Sequence, residues 1–529
     1  MSSGRVLMIG LDAFEISLAE VLMDRGELPH FRKLRERSAR FRLDHGRDKF
    51  SGLSWEHVCG GVSPSDGARW SAVHFDRDCY SVSQRSTTSC PFFADLGIAA
   101  AVFDVPYCDL RKVPSARGLV NWGSHDPGVA RVARPDGLAE EMAKTFGPYP
   151  AKESIYGFCW PSAERAKILS DQLARAVAVR AKAARWMFAE KLPDWKLGMM
   201  VVSEAHSGIE SLWHGVDRAH PLHGIPSAAA AKAGLEKIYR AIDALIGEMA
   251  DAFPDAQLVL FSMHGMGRNE ADVAAMLLLP ELMYRHAFGK PYARDIAWPA
   301  SLPDGTPLLA KDASWDEAMK AVVPELGKKA SGWRRLFGAK ASTPGGEAAM
   351  SMDWMAAARY RNFWPQMRAF ALPSFYDGRI RINLQGREAN GIVARTEYDF
   401  TRNEIVDLLR GCRNAQTGEP IAEEIIPSAK DPQELGPSDA DVSVIFRDAP
   451  VGITHPRLGA IGPYPWRRTG GHTGESGFLY LTGSAISAGD YGRRSSFDVV
   501  PTVIDLLGRR PQGVSGKSIL RDLRTPVPA

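Results

Sequence analysis

Short apolar runs that end in glycine or a polar residue, separated by longer stretches of helical periodicity, constrain this chain more than any other feature of its sequence. The first run is Val6 to Ile9, closed by Gly10-Leu11-Asp12 and followed from Glu15 to Arg37 by apolar and charged residues at helical spacing. Similar runs stand at Ala99 to Phe103, Gly198 to Val202, Gln257 to Phe261, Val442 to Phe446 and Phe478 to Leu481, with strong helical patterns at Ser170 to Glu190 and Ala228 to Phe253. Strands alternating with long helices predict an α/β fold, a mostly parallel sheet with helices on both faces. Asp377-Gly378 reads as a turn, and Arg379 to Leu384 alternates like a half-exposed strand. Residues 289–360 are rich in Pro, Gly, Ala and Lys and are expected to form an inserted cap between core segments 1–288 and 361–529.

Composition narrows the function classes. With 65 Lys and Arg against 62 Asp and Glu, the net charge of +3 is too small to draw in a polyanion, so no nucleic acid polymer is expected as a partner. The densest basic cluster, Lys328, Lys329, Arg334, Arg335 and Lys340, reads as a solvated face. The 6 cysteines form no CxxC pair or zinc-knuckle spacing and are expected to be buried thiols. The apolar run after residue 5 is too short for a secretory signal, and no stretch is long enough to span a membrane, so a cytoplasmic location without membrane partners is expected.

In open α/β sheets, reactive groups gather beyond the carboxyl ends of the strands. The residues there are Asp12 after the first run, Glu204 and His206 after the run at Gly198, and His264 after the run at Gln257. His206 and Glu210 lie four apart, so on a helix they share a face and can reach one divalent ion. The segment Ser51-Gly-Leu-Ser54-Trp55 precedes a helix start, where a serine either caps the helix or faces a bound phosphate. His264 beside Gly265 and His472 in Arg467-Arg468-Thr-Gly-Gly-His472 sit in glycine-rich turns, where the two arginines either hold phosphate oxygens in a bidentate fork or are solvated.

Taken in order, Gly10-Leu11-Asp12, Ser51 and Trp55 ahead of Gly61 and Pro64, the His206-x3-Glu210 pair with Trp213, Ser262-x-His264-Gly265, and Gly471-His472-x4-Gly477 resemble the type I phosphodiesterase and nucleotide pyrophosphatase branch of the alkaline phosphatase superfamily. The tail from Phe497 to Gly508 is similar to that superfamily's last helix. The resemblance implies an alkaline-phosphatase-like core, a small-molecule phosphate ester as substrate, and hydrolysis through a serine nucleophile with one or two divalent ions, zinc or manganese. It puts the nucleophile at Ser51, with Ser54 as the alternative if the helix starts slightly later. Asp12, His264 and the Ser51 oxygen fall on ligands of one ion, and His206, Glu210 and His472 on ligands of the other. His206 stands where the family has Asp, Glu210 where it has His, and Met263 where it has an Asp beside the histidine. The exchange of imidazole and carboxylate keeps one site viable. Met263 weakens the other, because a thioether is a poor ligand for a hard ion, and Glu204 is a candidate replacement. A sulfatase would carry x-Pro-x-Arg after the nucleophile, and no such string follows Ser51 or Ser54. The alternative is a non-catalytic or one-metal member of the fold acting as a binding protein or phosphoryl transferase.

Overall fold

The computed structural model describes residues 4–87, 89–156, 158–159, 162–310, 313–324 and 349–523. The basic cluster Lys328, Lys329, Arg334, Arg335 and Lys340 lies outside them.

A nine-stranded sheet forms the centre. Its strands in chain order are β1 (Val6–Leu11), β2 (Ala39–Asp44), β3 (Ala100–Phe103), β4 (Ala116–Val120), β5 (Val132–Arg134), β6 (Leu197–Val202), β7 (Gln257–Ser262), β8 (Gly477–Leu481) and β9 (Gly489–Ser495). They lie in the order β9-β2-β8-β7-β1-β6-β3-β4-β5. Pairing is parallel at β9–β2, β7–β1, β1–β6, β6–β3 and β3–β4, and antiparallel at β2–β8, β8–β7 and β4–β5.

The central strand shows why both faces are covered. Every residue of β1 is buried, and successive side chains point to opposite faces. Leu7, Ile9 and Leu11 join the core made with α1 (Ile16–Asp24), α2 (Pro29–Arg37), α4 (Ala163–Trp186) and α6 (Ala228–Ala252). Val6 and Met8 join the opposite core, with Trp55 and Val58 of α3 (Ser54–Gly60) and Val499, Val500 and Val503 of α7 (Val499–Leu506). The single helix expected from Glu15 to Arg37 is two helices. Gly26 takes φ +77 just after α1, and Pro29, whose ring fits only the first turn of a helix, opens α2.

The run Val442–Phe446 is a strand, but of a separate four-stranded antiparallel sheet with Ala369–Leu372, Gly378–Ile382 and Ala422–Pro427. Gly378–Ile382 is buried throughout, not half exposed as its alternation suggests. Its charged positions are neutralised in place: Arg379 pairs with Asp377 at 3.0 Å and Arg381 with Glu388 at 2.7 Å. This sheet shares an apolar cluster with Val73, Leu279, Trp315 and Trp466, so the described part of 289–360 packs into a larger layer. Cys59, Cys108, Cys159 and Cys412 are buried free thiols, but Cys79 and Cys90 are exposed, against the expectation that all six are buried. No helix among the described residues is long and apolar enough to cross a membrane.

Candidate functional site

The loops beyond the carboxyl ends of the central strands bring the candidate residues together. Asp12 follows β1, His264 follows β7, and His206 and Glu210 lie on α5 (Glu204–Leu212), which begins just past β6. His472 arrives from the opposite chain direction, immediately before antiparallel β8. Its approach depends on Gly470, where a Cβ would stand 2.4 Å from the backbone oxygen of Ile209 in α5.

The helical spacing of His206 and Glu210 puts them on one face, with His206 Nε2 3.4 Å from Glu210 Oε1. His472 Nε2 stands 3.4 Å from His206 Nε2. A further histidine, His125, stacks on His206 with ring centroids 3.9 Å apart, and its Nε2 lies 3.7 Å from Glu210 Oε1. The sequence reading missed it. It sits in the loop after β4, a strand that carries Arg117 and Gly118 and so lacks the continuous apolar run that marked the others. The pattern His125-Asp126-Pro127 past a strand end was the available signal.

The four imidazoles share one arrangement. Nδ1–H of His125 donates to the Ile155 carbonyl at 2.8 Å, that of His264 to Gly265 at 3.0 Å, and that of His472 to Lys49 at 2.9 Å. His206 Nδ1–H donates to Asp12 Oδ2 at 3.0 Å. A proton fixed on Nδ1 leaves Nε2 as the coordinating nitrogen, the usual orientation of metal-ligating histidine. His125 Nε2 and Glu210 Oε2 are buried without a hydrogen-bond partner. Among the described residues, His125, His206 and Glu210 alone form a trio with ligand atoms all within 4.8 Å of one another. Two orphaned polar atoms in that trio fit a cation better than they fit a closed hydrogen-bond network.

Electrostatics divides the cluster. Burial holds His264 down to about 4, and burial with the neighbouring imidazoles lowers His125 and His472. Burial also works against charge on His206, but Asp12 and Glu210 outweigh it and push the imidazole up to about 10. Glu210, despite burial, is held down to about 2 by Arg468, His125 and His206. The cluster thus holds one imidazolium between two carboxylates.

Several expected roles fall differently. Both Asp12 oxygens are engaged, Oδ1 by the Trp55 indole N–H at 2.7 Å and Oδ2 by His206. Ser54 lines the cavity with Asp12, His206, His264 and His472. Ser51 does not line it: its hydroxyl donates to the Asp48 carbonyl at 2.7 Å and accepts from Leu53 N at 3.1 Å. Glu204 offers no replacement ligand, because its carboxylate is bound to fully buried Arg180 at 2.9 Å and accepts from Tyr149 at 3.2 Å. Met263 packs in the apolar core with Trp55 and Phe261. Arg467 pairs with Asp272 at 3.0 Å and Arg468 with Glu210, so each guanidinium is already held by a carboxylate. Beyond the cavity, past Tyr376 and His472, opens a pocket of about 330 Å³ bordered by Lys49, Phe50, Glu270 and Arg447.

No family model matches the chain, and no curated protein matches it in sequence. Solved structures do. Wild-type alkaline phosphatase PafA superposes with a TM-score of 0.51 at 10% identity, covering 97% of this chain and 98% of its own. The fold is that of an alkaline phosphatase. A substituted form of the same enzyme gives 0.51 at 11% identity over 98% and 99%. Phosphonoacetate hydrolase from Sinorhizobium meliloti 1021, in complex with phosphonoformate, gives 0.47 at 12% identity over 96% and 95%. The fold assignment rests on the two PafA structures.

Proposed function

We propose that this chain is a metal-dependent hydrolase of small phosphate esters working through a serine nucleophile, Ser54. One observation carries the reading: four buried histidines have Nδ1–H pinned, Nε2 of His125 and of His206 stand 3.7 and 3.4 Å from Glu210 Oε1 with His472 Nε2 3.4 Å from His206 Nε2, and Ser54 lines one cavity with the four imidazoles. The alkaline phosphatase fold supports the choice of phosphate ester over other acyl or glycosyl substrates.

His125, His206 and Glu210 would hold an ion, and neutral imidazole with a carboxylate suits zinc, or manganese, better than magnesium. When bound, such an ion supplies a Lewis acid for a phosphoryl oxygen. The chain's own residues do the rest. Asp12 orients His206, Trp55 fixes Asp12, and Ser54 attacks phosphorus in line to give a phosphoserine that water then resolves. The alcohol portion of the ester extends into the pocket between Lys49, Glu270 and Arg447.

A one-ion reaction is favoured over a two-ion one by the engagement of both Asp12 oxygens and the apolar setting of Met263. The test is elemental analysis of the purified protein alongside turnover of p-nitrophenyl phosphate, its bis ester and the sulfate. About one zinc or manganese per chain with ester hydrolysis supports the reading; a metal-free protein inert toward all three after metal addition contradicts it and favours a binding protein.

A further inference from the structure

Ser54 has a partner outside the ion-binding cluster. Its Oγ lies 3.1 Å from His45 Nε2, and the other ring nitrogen, Nδ1, lies 2.5 Å from the Ser496 hydroxyl. His45 and Ser496 are almost fully buried, and the Phe497 ring packs against the imidazole with centroids 5.2 Å apart. Sheet register makes the pair. β2 and β9 run parallel with Asp44 opposite Ser495, so the next residue of each strand, His45 and Ser496, emerges at the same level. Gly46–Ser51 then turns the chain back to deliver Ser54 over the ring.

Resting on the reading of Ser54 as nucleophile, we propose that His45 is the catalytic base for that hydroxyl and Ser496 its positioning residue. With its proton on Nδ1 donated to Ser496, His45 offers the Nε2 lone pair to the Ser54 O–H, the geometry required of a general base. As the Oγ–P bond forms, the Oγ–H electron pair becomes that bond and the proton moves to His45 Nε2. The P–O bond to the leaving group breaks with its electron pair on the departing alkoxide. His45 keeps the proton beside Ser54, and the alkoxide, which departs on the opposite side of phosphorus, takes its proton from the water that enters there. In the second step the hydroxide so formed attacks phosphorus from that side, the P–Oγ bond breaks with its electron pair on Ser54, and His45 returns its proton to Oγ and is neutral again. Activation of the serine then belongs to the protein, and the loss of the carboxylate at Met263 leaves it intact.

The test uses the full-length protein with its native ion content, p-nitrophenyl phosphate esters, and five variants. Ser54→Ala sets the baseline; turnover surviving in it overturns the nucleophile assignment and the His45 role together. With Ser54→Ala inactive, His45→Gln is expected to lose about a hundred-fold in kcat at unchanged metal content and melting temperature. His45→Gly is expected to regain activity on adding imidazole, which a purely structural histidine would not allow. Ser496→Ala is expected to lower kcat at constant KM, and Ser496→Thr to restore it. A His45→Gln variant within threefold of wild type, or a His45→Gly variant that imidazole does not rescue, overturns the proposal while the hydrolase reading stands.

Discussion

Trp55 donates its indole N–H to Oδ1 of Asp12 at 2.7 Å, and the same ring lies so close to Gly10 that a Cβ there would stand 2.1 Å from it. The contact ties the helix carrying Ser54 to the central strand. Trp55→Phe keeps an aromatic side chain but removes the donor and the part of the indole that meets Gly10, and is expected to cost about 1.5–3 kcal/mol for the lost hydrogen bond to a charged group, with lost packing in addition. Gly10→Ala forces the ring aside, an overpacking cost of about 1–3 kcal/mol. Both variants should lose more in kcat than their denaturation midpoints suggest, measured by urea unfolding beside ester turnover. Wild-type rates in both would mean the Asp12–Trp55 link does not set the site geometry.

Ion uptake is expected to release a proton. His206 is pushed up to about 10, Asp12 and Glu210 outweighing burial, so it is protonated at pH 7 in the ion-free protein, whereas a coordinated imidazole is not. Calorimetric titration of zinc into chelator-stripped protein, in buffers of different ionisation enthalpy, should report about one proton released per ion. No buffer dependence would remove His206 from the coordination set.

Glu270 gives a pH signature that can be read in stability. Burial, helped by Asp448 and Glu423, pushes its carboxyl from 4.5 up to about 7. A raised acid favours the folded state fully below its unfolded value and loses that contribution as pH rises through the folded one. The melting temperature should therefore fall between pH 4.5 and about 7 on account of this group. Glu270→Gln should flatten that part of the profile and melt higher than wild type at pH 8. Parallel profiles for the two proteins would contradict the assignment.

The sheet and much of the site were legible because strand ends are where polar residues become informative. Asp12, His206, His264 and His472 each follow or precede an apolar run, and the i, i+4 spacing of His206 and Glu210 alone predicted their shared face. What stayed hidden depended on strands without that signature. β2 alternates Ala, Phe and Leu with Arg40 and Arg42, a period-2 strand signal that passed unread because it is not a continuous apolar run, and β4 includes Arg117 and Gly118, so the loops bearing His45 and His125 were not placed at strand ends. Ser51 and Ser54 differ only in local turn geometry: Gly52 at φ 71 separates them and leaves Ser51 bonded to the Asp48 carbonyl. Arg379 and Arg381 looked exposed because their carboxylate partners, Asp377 and Glu388, lie outside the alternation that marked the strand.

The covalent phosphoryl intermediate proposed on Ser54 is open to direct observation. The direct measurement is acid quench of the protein during turnover of a p-nitrophenyl phosphate ester, followed by peptide mass spectrometry of wild type, Ser51→Ala and Ser54→Ala. A phosphoryl group is expected on Ser54 in wild type and Ser51→Ala, and none in Ser54→Ala, which should lose turnover while staying folded. A phosphoryl group on Ser51, or full turnover by Ser54→Ala, would contradict it.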